Sequence, residues 1–306
     1  MLKKFPAFIF FANYFVGILA VALSIETLAQ LHLPLNSIPY YLLIFSATVF
    51  YYTIAYSSPP GLETSPNPRT EWYRTHHRFV RYSQYFLFAL CLIIATWFLI
   101  NDFAGIVALP LYWWLMILAI CTAAVLYYGL LPKSVISFNL RNTGWLKAFV
   151  IGFVWAGFVN VFPVAMLKIE GRIILHEPAF MVWLFVKNWM VMSANAIMFD
   201  MKDYEDDANI QLKTFAVAMG LRNTIFYVLV PLLSVGLLSF LTLAWFADFS
   251  PVTVFFNLIP FVSYLIVAFT LQKPKNVLFY LIVIDGLLLV KAICGILGSF
   301  FTDTIY

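Results

Sequence analysis

Apolar residues run along this chain in blocks of about twenty, separated by short polar stretches, and the blocks lack the alternation of strands. Nine such blocks run approximately from Ala7 to Leu28, Ile38 to Ser57, Val80 to Ile100, Ala104 to Leu131 and Trp145 to Leu167, then from Pro178 to Phe199, Asn223 to Phe246, Val252 to Leu271 and Val277 to Phe300. A helix of about 20 residues crosses the hydrocarbon core of a bilayer. Backbone groups in lipid must find their partners within the segment, which a helix achieves. The pattern therefore predicts an all-α membrane protein with nine transmembrane helices, as a single integral-membrane domain over residues 1–306. Neither a separate soluble domain nor a low-complexity linker interrupts it.

Composition sharpens this class. Hydrophobic residues make up 63% of the chain and charged residues 10%, against about 45–50% and about 25% in soluble domains. Lys3-Lys4 before the first apolar block has the look of a signal peptide. At nearly twenty residues the block exceeds an h-region of about 7–15, so it reads as a retained helix. The cysteines, Cys91, Cys121 and Cys294, all sit in apolar blocks without metal-ligand spacing and read as packing thiols.

Charge gives the expected topology. Lys3, Lys4, Arg69, Arg74, Arg78, Arg81, Lys133, Arg141, Lys147, Lys202, Lys213, Arg222, Lys273 and Lys275 all fall on one side of a nine-span arrangement. The other side carries Lys168 and Arg172. The positive-inside rule then places the N-terminus in the cytoplasm and the C-terminus outside.

Acidic residues are scarce, 14 in all, yet five lie between Asp200 and Asp207 at the end of an apolar block. Asp200, Asp203 and Asp207 stand at i, i+3 and i+7, on one face of a helix. Two roles fit them: pairing with basic residues of neighbouring loops, or chelating a divalent metal such as Mg²⁺, which takes one or two carboxylates plus substrate phosphates.

Other polar residues admit similar pairs of roles. The loop from Ser58 to Phe79 begins proline-rich, and Arg74, Arg78 and Arg81 then share a helical face. They suit a solvated, headgroup-facing loop or a clamp for phosphate oxygens. Within the blocks stand Lys187, Asn188, Asn195, Asp285 and Lys291. Asn188 and Asn195 share a face and either line a cavity or hydrogen-bond between helices. Asp285 and Lys291 are about 240° apart on a regular helix and should not pair with each other.

The run from Asp200 to Gly220 resembles the second aspartate-rich motif of the UbiA-type intramembrane prenyltransferases. That motif reads D-x-x-D-x-x-x-D, then a basic residue and Thr, then Val and Gly. Asp200, Asp203, Asp207, Lys213, Thr214, Val217 and Gly220 stand in its places. Leu146-Lys147 before a block containing Trp155-Ala156, with Arg141 upstream, is similar as well, and Tyr128 and Lys133 match a Tyr/Lys motif with the spacing off by one.

The resemblance implies a UbiA-type bundle around a central cavity that holds a polyprenyl diphosphate. Mg²⁺ would be chelated by Asp200, Asp203 and Asp207 at the cytoplasmic side, these three being the catalytic residues. Lys147, Arg141, Lys213, Arg74, Tyr128, Lys133 and Asn195 become substrate-binding candidates. Ionisation would give an allylic cation, which aromatic faces stabilise, and an aromatic or other lipophilic acceptor would be alkylated. The partners implied are the lipid bilayer, an isoprenoid diphosphate and that acceptor, with no nucleic acid.

The chain departs from the family at its first acidic motif. Tyr51-Tyr52-Thr53-Ile54-Ala55-Tyr56-Ser57-Ser58 stands there without a carboxylate, so Tyr52 and Tyr56 occupy the place of the lost acids. Hydroxyls donate to a diphosphate but replace metal-binding carboxylates poorly. Two other expectations therefore stand beside the enzyme: a catalytically lapsed member that binds a prenyl lipid or a membrane partner, and a transporter using Lys187, Asp285 and Lys291.

Overall fold

The computed structural model describes residues 4–57, 68–128, 140, 143–172, 178–209 and 211–302, and among them it contains helices and no strands. The helices are α1 (Lys4–Phe11), α2 (Tyr14–Gln30), α3 (Ile38–Ser57), α4 (Pro68–Thr75), α5 (His77–Asn101), α6 (Phe103–Ala108), α7 (Leu111–Tyr128), α8 (Leu146–Ile169) and α9 (Pro178–Asp200). They continue with α10 (Tyr204–Asn209), α11 (Phe215–Met219), α12 (Leu221–Thr224), α13 (Val230–Phe246), α14 (Pro251–Thr270), α15 (Val277–Phe279) and α16 (Asp285–Ser299). Single π-helical turns, Ile225–Leu229 and Tyr280–Ile284, join α12 to α13 and α15 to α16.

Six helical segments among the described residues are long and apolar enough to cross a membrane: His77–Asn101, Leu146–Ile169, Ala179–Asp200, Leu221–Phe246, Pro251–Thr270 and Val277–Ser299. Three shorter apolar helices, Tyr14–Gln30, Ile38–Ile54 and Leu111–Tyr127, lie in the remaining three blocks. Two blocks break where the backbone demands it. The first divides at Asn13, whose φ of 63° is left-handed, a conformation asparagine tolerates better than most residues. The fourth divides at Leu109, which is extended (ψ 124°) because Pro110 follows. The basic face of Arg74, Arg78 and Arg81 is likewise interrupted, since α4 ends at Thr75 and α5 starts at His77.

α8 and α9 form the centre, packed against each other, with α2 beside α8 and α16 beside α2. Gly152 makes the α8–α9 approach possible: a Cβ there would lie 2.8 Å from the Ser193 nitrogen and 2.9 Å from the Trp189 carbonyl. Small residues serve this purpose between membrane helices, where no hydrophobic drive draws them together. Trp189 Nε1 donates to the Phe149 carbonyl (2.8 Å), and Asn188 donates to Asn160 (3.0 Å). α5 and α13 lie at the rim and turn Phe86, Ile100, Trp245 and Phe246 outward, as a lipid-facing surface requires.

The interior around α9 is filled by its own Ala196, Ile197 and Met198, by Tyr264 of α14, and by Tyr280 and Ile284 of the second π turn. α9 is therefore covered by C-terminal elements, α13 and that π turn, as well as by α8.

Candidate functional site

The acidic run does not form one continuous helix. α9 ends at Asp200, residues 201–203 form a turn, and α10 begins at Tyr204. Like charges repel within a helix, and the break separates the three aspartates. Asp203 turns toward the surface, its side chain 41% exposed, and pairs with Lys202 at 3.1 Å. Asp200 and Asp207 turn inward and converge on Lys147, in the first turn of α8. Lys147 Nζ lies 3.1 Å from Asp200 Oδ1 and 3.0 Å from Asp207 Oδ2, and all three residues are buried.

One ammonium is shared by two carboxyl groups. Asp200 Oδ2 is buried and has no hydrogen-bond partner. A buried, unmatched carboxylate oxygen costs a few kcal/mol unless a donor or cation meets it. Asp203 and Asp207 both lie within electrostatic reach of Asp200. Among the described residues, however, no group of three or more His, Cys, Asp or Glu side chains is arranged to hold a metal ion.

Two backbone features fix Lys147 on the acidic segment. Gly144, at φ 64°, packs so closely that a Cβ would lie 2.5 Å from the Lys213 carbonyl oxygen. Thr214, fully buried, caps α11 by accepting from the Val217 nitrogen at 3.3 Å. Trp145 and Phe149 then pack against Phe215. Thus the motif positions Lys213, Thr214 and Val217 build the seat for the start of α8. Gly220, also at positive φ, turns the chain into α12.

The other expected site residues are dispersed. Arg74 is exposed and pairs with Glu71 at 2.6 Å, and this guanidinium holds the Glu71 carboxyl below its ordinary range. Lys213 is exposed at its side chain. Tyr52 accepts a hydrogen bond from Trp155 Nε1, and the two rings are 6.0 Å apart. Asn195 accepts from the Tyr264 hydroxyl at 3.1 Å and bonds to Asp285, serving contacts between helices. Lys133 and Arg141 lie outside the described residues, as do the side chains of Tyr56 and Tyr128.

At the place of the absent first acidic motif stands a different polar knot. Asn13 donates to Thr53 (3.1 Å) and Tyr73 (3.2 Å), while Arg69 donates to Asn13 and to the Phe11 carbonyl (3.3 Å). Arg69 is buried, in contrast to Arg74. Asp285, the first residue of α16, lies within electrostatic reach of Arg69 and Lys202. The sequence offered one signal for the knot, an asparagine interrupting the first apolar block.

Crevices lie elsewhere. A small one is lined by Glu26, Lys187, Asn257, Tyr264 and Lys291, among others, and does not touch Asp200. The candidate site is identified instead by the carboxylate geometry and the motif spacing.

Comparison with known families matches residues 66–279, more than half of the chain, to the model of the UbiA prenyltransferase family. Among curated proteins and among solved structures, none matches.

Proposed function

The chain belongs to the UbiA prenyltransferase family, and from that premise we propose that it transfers a prenyl group from an isoprenoid diphosphate to an aromatic or other lipophilic acceptor. Its apolar helices and its family make it an integral membrane protein. In this proposal residues 1–306 form one membrane domain of nine spans around a substrate cavity. The motif end faces the cytoplasm, with the N-terminus, as the distribution of Lys and Arg favours.

The observation that carries the proposal is the seating of Lys147 between Asp200 and Asp207, with Asp200 Oδ2 left buried and unmatched. A pocket with one open carboxyl oxygen is suited to a cation brought with a diphosphate. Family members typically use Mg²⁺, and an orphaned carboxylate oxygen fits a single ion completed by substrate phosphates. Asp200 would hold it, Asp203 would join only by leaving Lys202, and when bound the ion would neutralise charge on the departing diphosphate. Asp207 keeps Lys147 in place. Lys147, in this scheme, limits repulsion between the acids before substrate arrives. Arg69, Lys213 and Arg141 supply further positive charge for phosphate oxygens.

The test is diphosphate release by the purified protein offered allylic diphosphates of several chain lengths, with Mg²⁺ or with chelator. Release that requires Mg²⁺ and disappears in Asp200→Asn supports the transferase. A second reading, a lapsed member that binds a prenyl lipid without chemistry, is favoured by the hydroxyls at Tyr51–Thr53 where carboxylates are expected. It predicts prenyl-lipid binding indifferent to Mg²⁺ and no release from any donor.

A further inference from the structure

The basic residues at the start of α5 point away from the interior of the bundle. Val80, Leu87, Ile94 and Phe98 form the buried face of this helix. At about 100° per residue, Arg78 and Tyr85 lie nearly opposite that face, with Arg81 and Tyr82 to either side. All four are exposed, Tyr82 at 71% and Tyr85 at 66%.

The same face continues as an apolar surface, along which Leu92, Ile93, Leu99 and Ile100 are exposed. Tyr82 and Ile100 are 18 positions apart, about 27 Å along the axis at 1.5 Å per residue. That length matches a hydrocarbon core of about 30 Å, and tyrosine favours the boundary of such a core. The stripe therefore faces lipid tails, and Arg78 and Arg81, just before it, fall at the level of the headgroups. This corner of the molecule is at the aspartate end of the bundle, since Asp285 is within electrostatic reach of both Arg69 of α4 and Lys202 beside Asp203.

The two guanidinium groups are open. Arg74 is engaged by Glu71 through Nε (2.9 Å) and an Nη (2.6 Å). Arg78 and Arg81 have no hydrogen-bond or ion-pair partner among the described residues, and α5 contains no acid. Guanidinium forks match phosphate oxygens. A basic cluster beside a bilayer attracts anionic headgroups above neutral ones. The apolar stripe that continues from the arginines fits a ligand whose tails enter the bilayer, which a soluble phosphate lacks.

We propose that Arg78 and Arg81, with Tyr82 and Tyr85, form a binding site for an anionic glycerophospholipid of the leaflet on the aspartate side. The guanidinium groups hold the phosphate, the tyrosine rings flank the glycerol, and the acyl chains lie along Leu92 and Ile93. Lipid binding here does not depend on prenyl transfer.

The test uses the purified full chain in nanodiscs of mixed phosphatidylglycerol and phosphatidylcholine, with native mass spectrometry counting the lipid retained after release. Wild type should retain phosphatidylglycerol in preference to phosphatidylcholine. Arg78→Gln/Arg81→Gln should reduce that preference at least tenfold. Lys273→Gln/Lys275→Gln removes the same charge from another exposed stretch and should keep the preference. The proposal is overturned if wild type shows no preference, if the arginine variant matches wild type, or if the lysine variant loses as much as the arginine variant. Should the arginine variant fail to fold, wild type is labelled with phosphatidylglycerol carrying a photoreactive group near its headgroup. Labelling of residues 77–89 above that given by the matching phosphatidylcholine supports the proposal, and equal labelling overturns it.

Discussion

Lys147 Nζ donates to Asp207 Oδ2 across 3.0 Å, joining the first turn of α8 to a helix 60 positions later in the chain. The same ammonium reaches Asp200, so one lysine governs both inward-facing acids of the motif. The acidic segment is thereby held as tertiary structure instead of standing as a free loop.

Replacing Lys147 by Met should leave two buried carboxylates facing each other. Removing one partner of a buried pair costs about 3–5 kcal/mol, and the expected result is a large fall in thermal stability in detergent. Adding Asp207→Asn should restore part of it. Equal stability of the single variant and wild type would count against the ammonium as the counter-charge.

Asp200→Asn should fold, because the amide oxygen still accepts from Lys147 while the unmatched anionic oxygen is removed. Diphosphate release is expected to fall by at least a hundredfold, and the residual rate to respond little to chelator. Full turnover with undiminished Mg²⁺ dependence would remove Asp200 from the proposed metal site.

Gly144→Val tests the seat of α8. Left-handed backbone costs an L-residue about 1–2 kcal/mol, and the Lys213 carbonyl 2.5 Å from a Cβ cannot yield as a flexible side chain does. Lower thermal stability and reduced transfer are expected together. Circular dichroism should show helix content nearly unchanged, since only the docking of the segment is disturbed.

Gly152→Leu should push α8 from α9 and destabilise the protein by more than Gly152→Ala. The neighbours are the Ser193 hydroxyl and backbone atoms of Ser193 and Trp189, so moving the serine side chain alone cannot absorb the added volume. Thermal unfolding of the two variants in the same detergent gives the order directly.

Local features of this molecule were readable because they repeat over many residues. The apolar blocks of α8, α9 and α14 stand out at twenty residues or more, and the spacing from Asp200 to Gly220 identifies the motif. Pairings between distant positions were not readable. The pairing of Lys147 with Asp200 and Asp207 spans 53 and 60 positions, which no periodicity registers. Glu26, inside the first apolar block, is buried against Lys291 of the ninth. The predicted face shared by Asp200, Asp203 and Asp207 is split by the turn at residues 201–203, because periodicity does not register the repulsion that ends a helix. Asn188 and Asn195, which share a face, nevertheless bond to different helices through Asn160 and Tyr264.

Glu26 and Lys291 are 265 positions apart, and this separation constrains the order in which the chain is built. Synthesis runs from the N-terminus, so the carboxylate reaches apolar surroundings long before its lysine exists. A nascent chain halted short of α16 carries this acid without the lysine that engages both its oxygens, and the arrival of α16 supplies it. The final span therefore acts as the latch of assembly, and truncated chains lacking it should be retained by the cell's quality-control machinery.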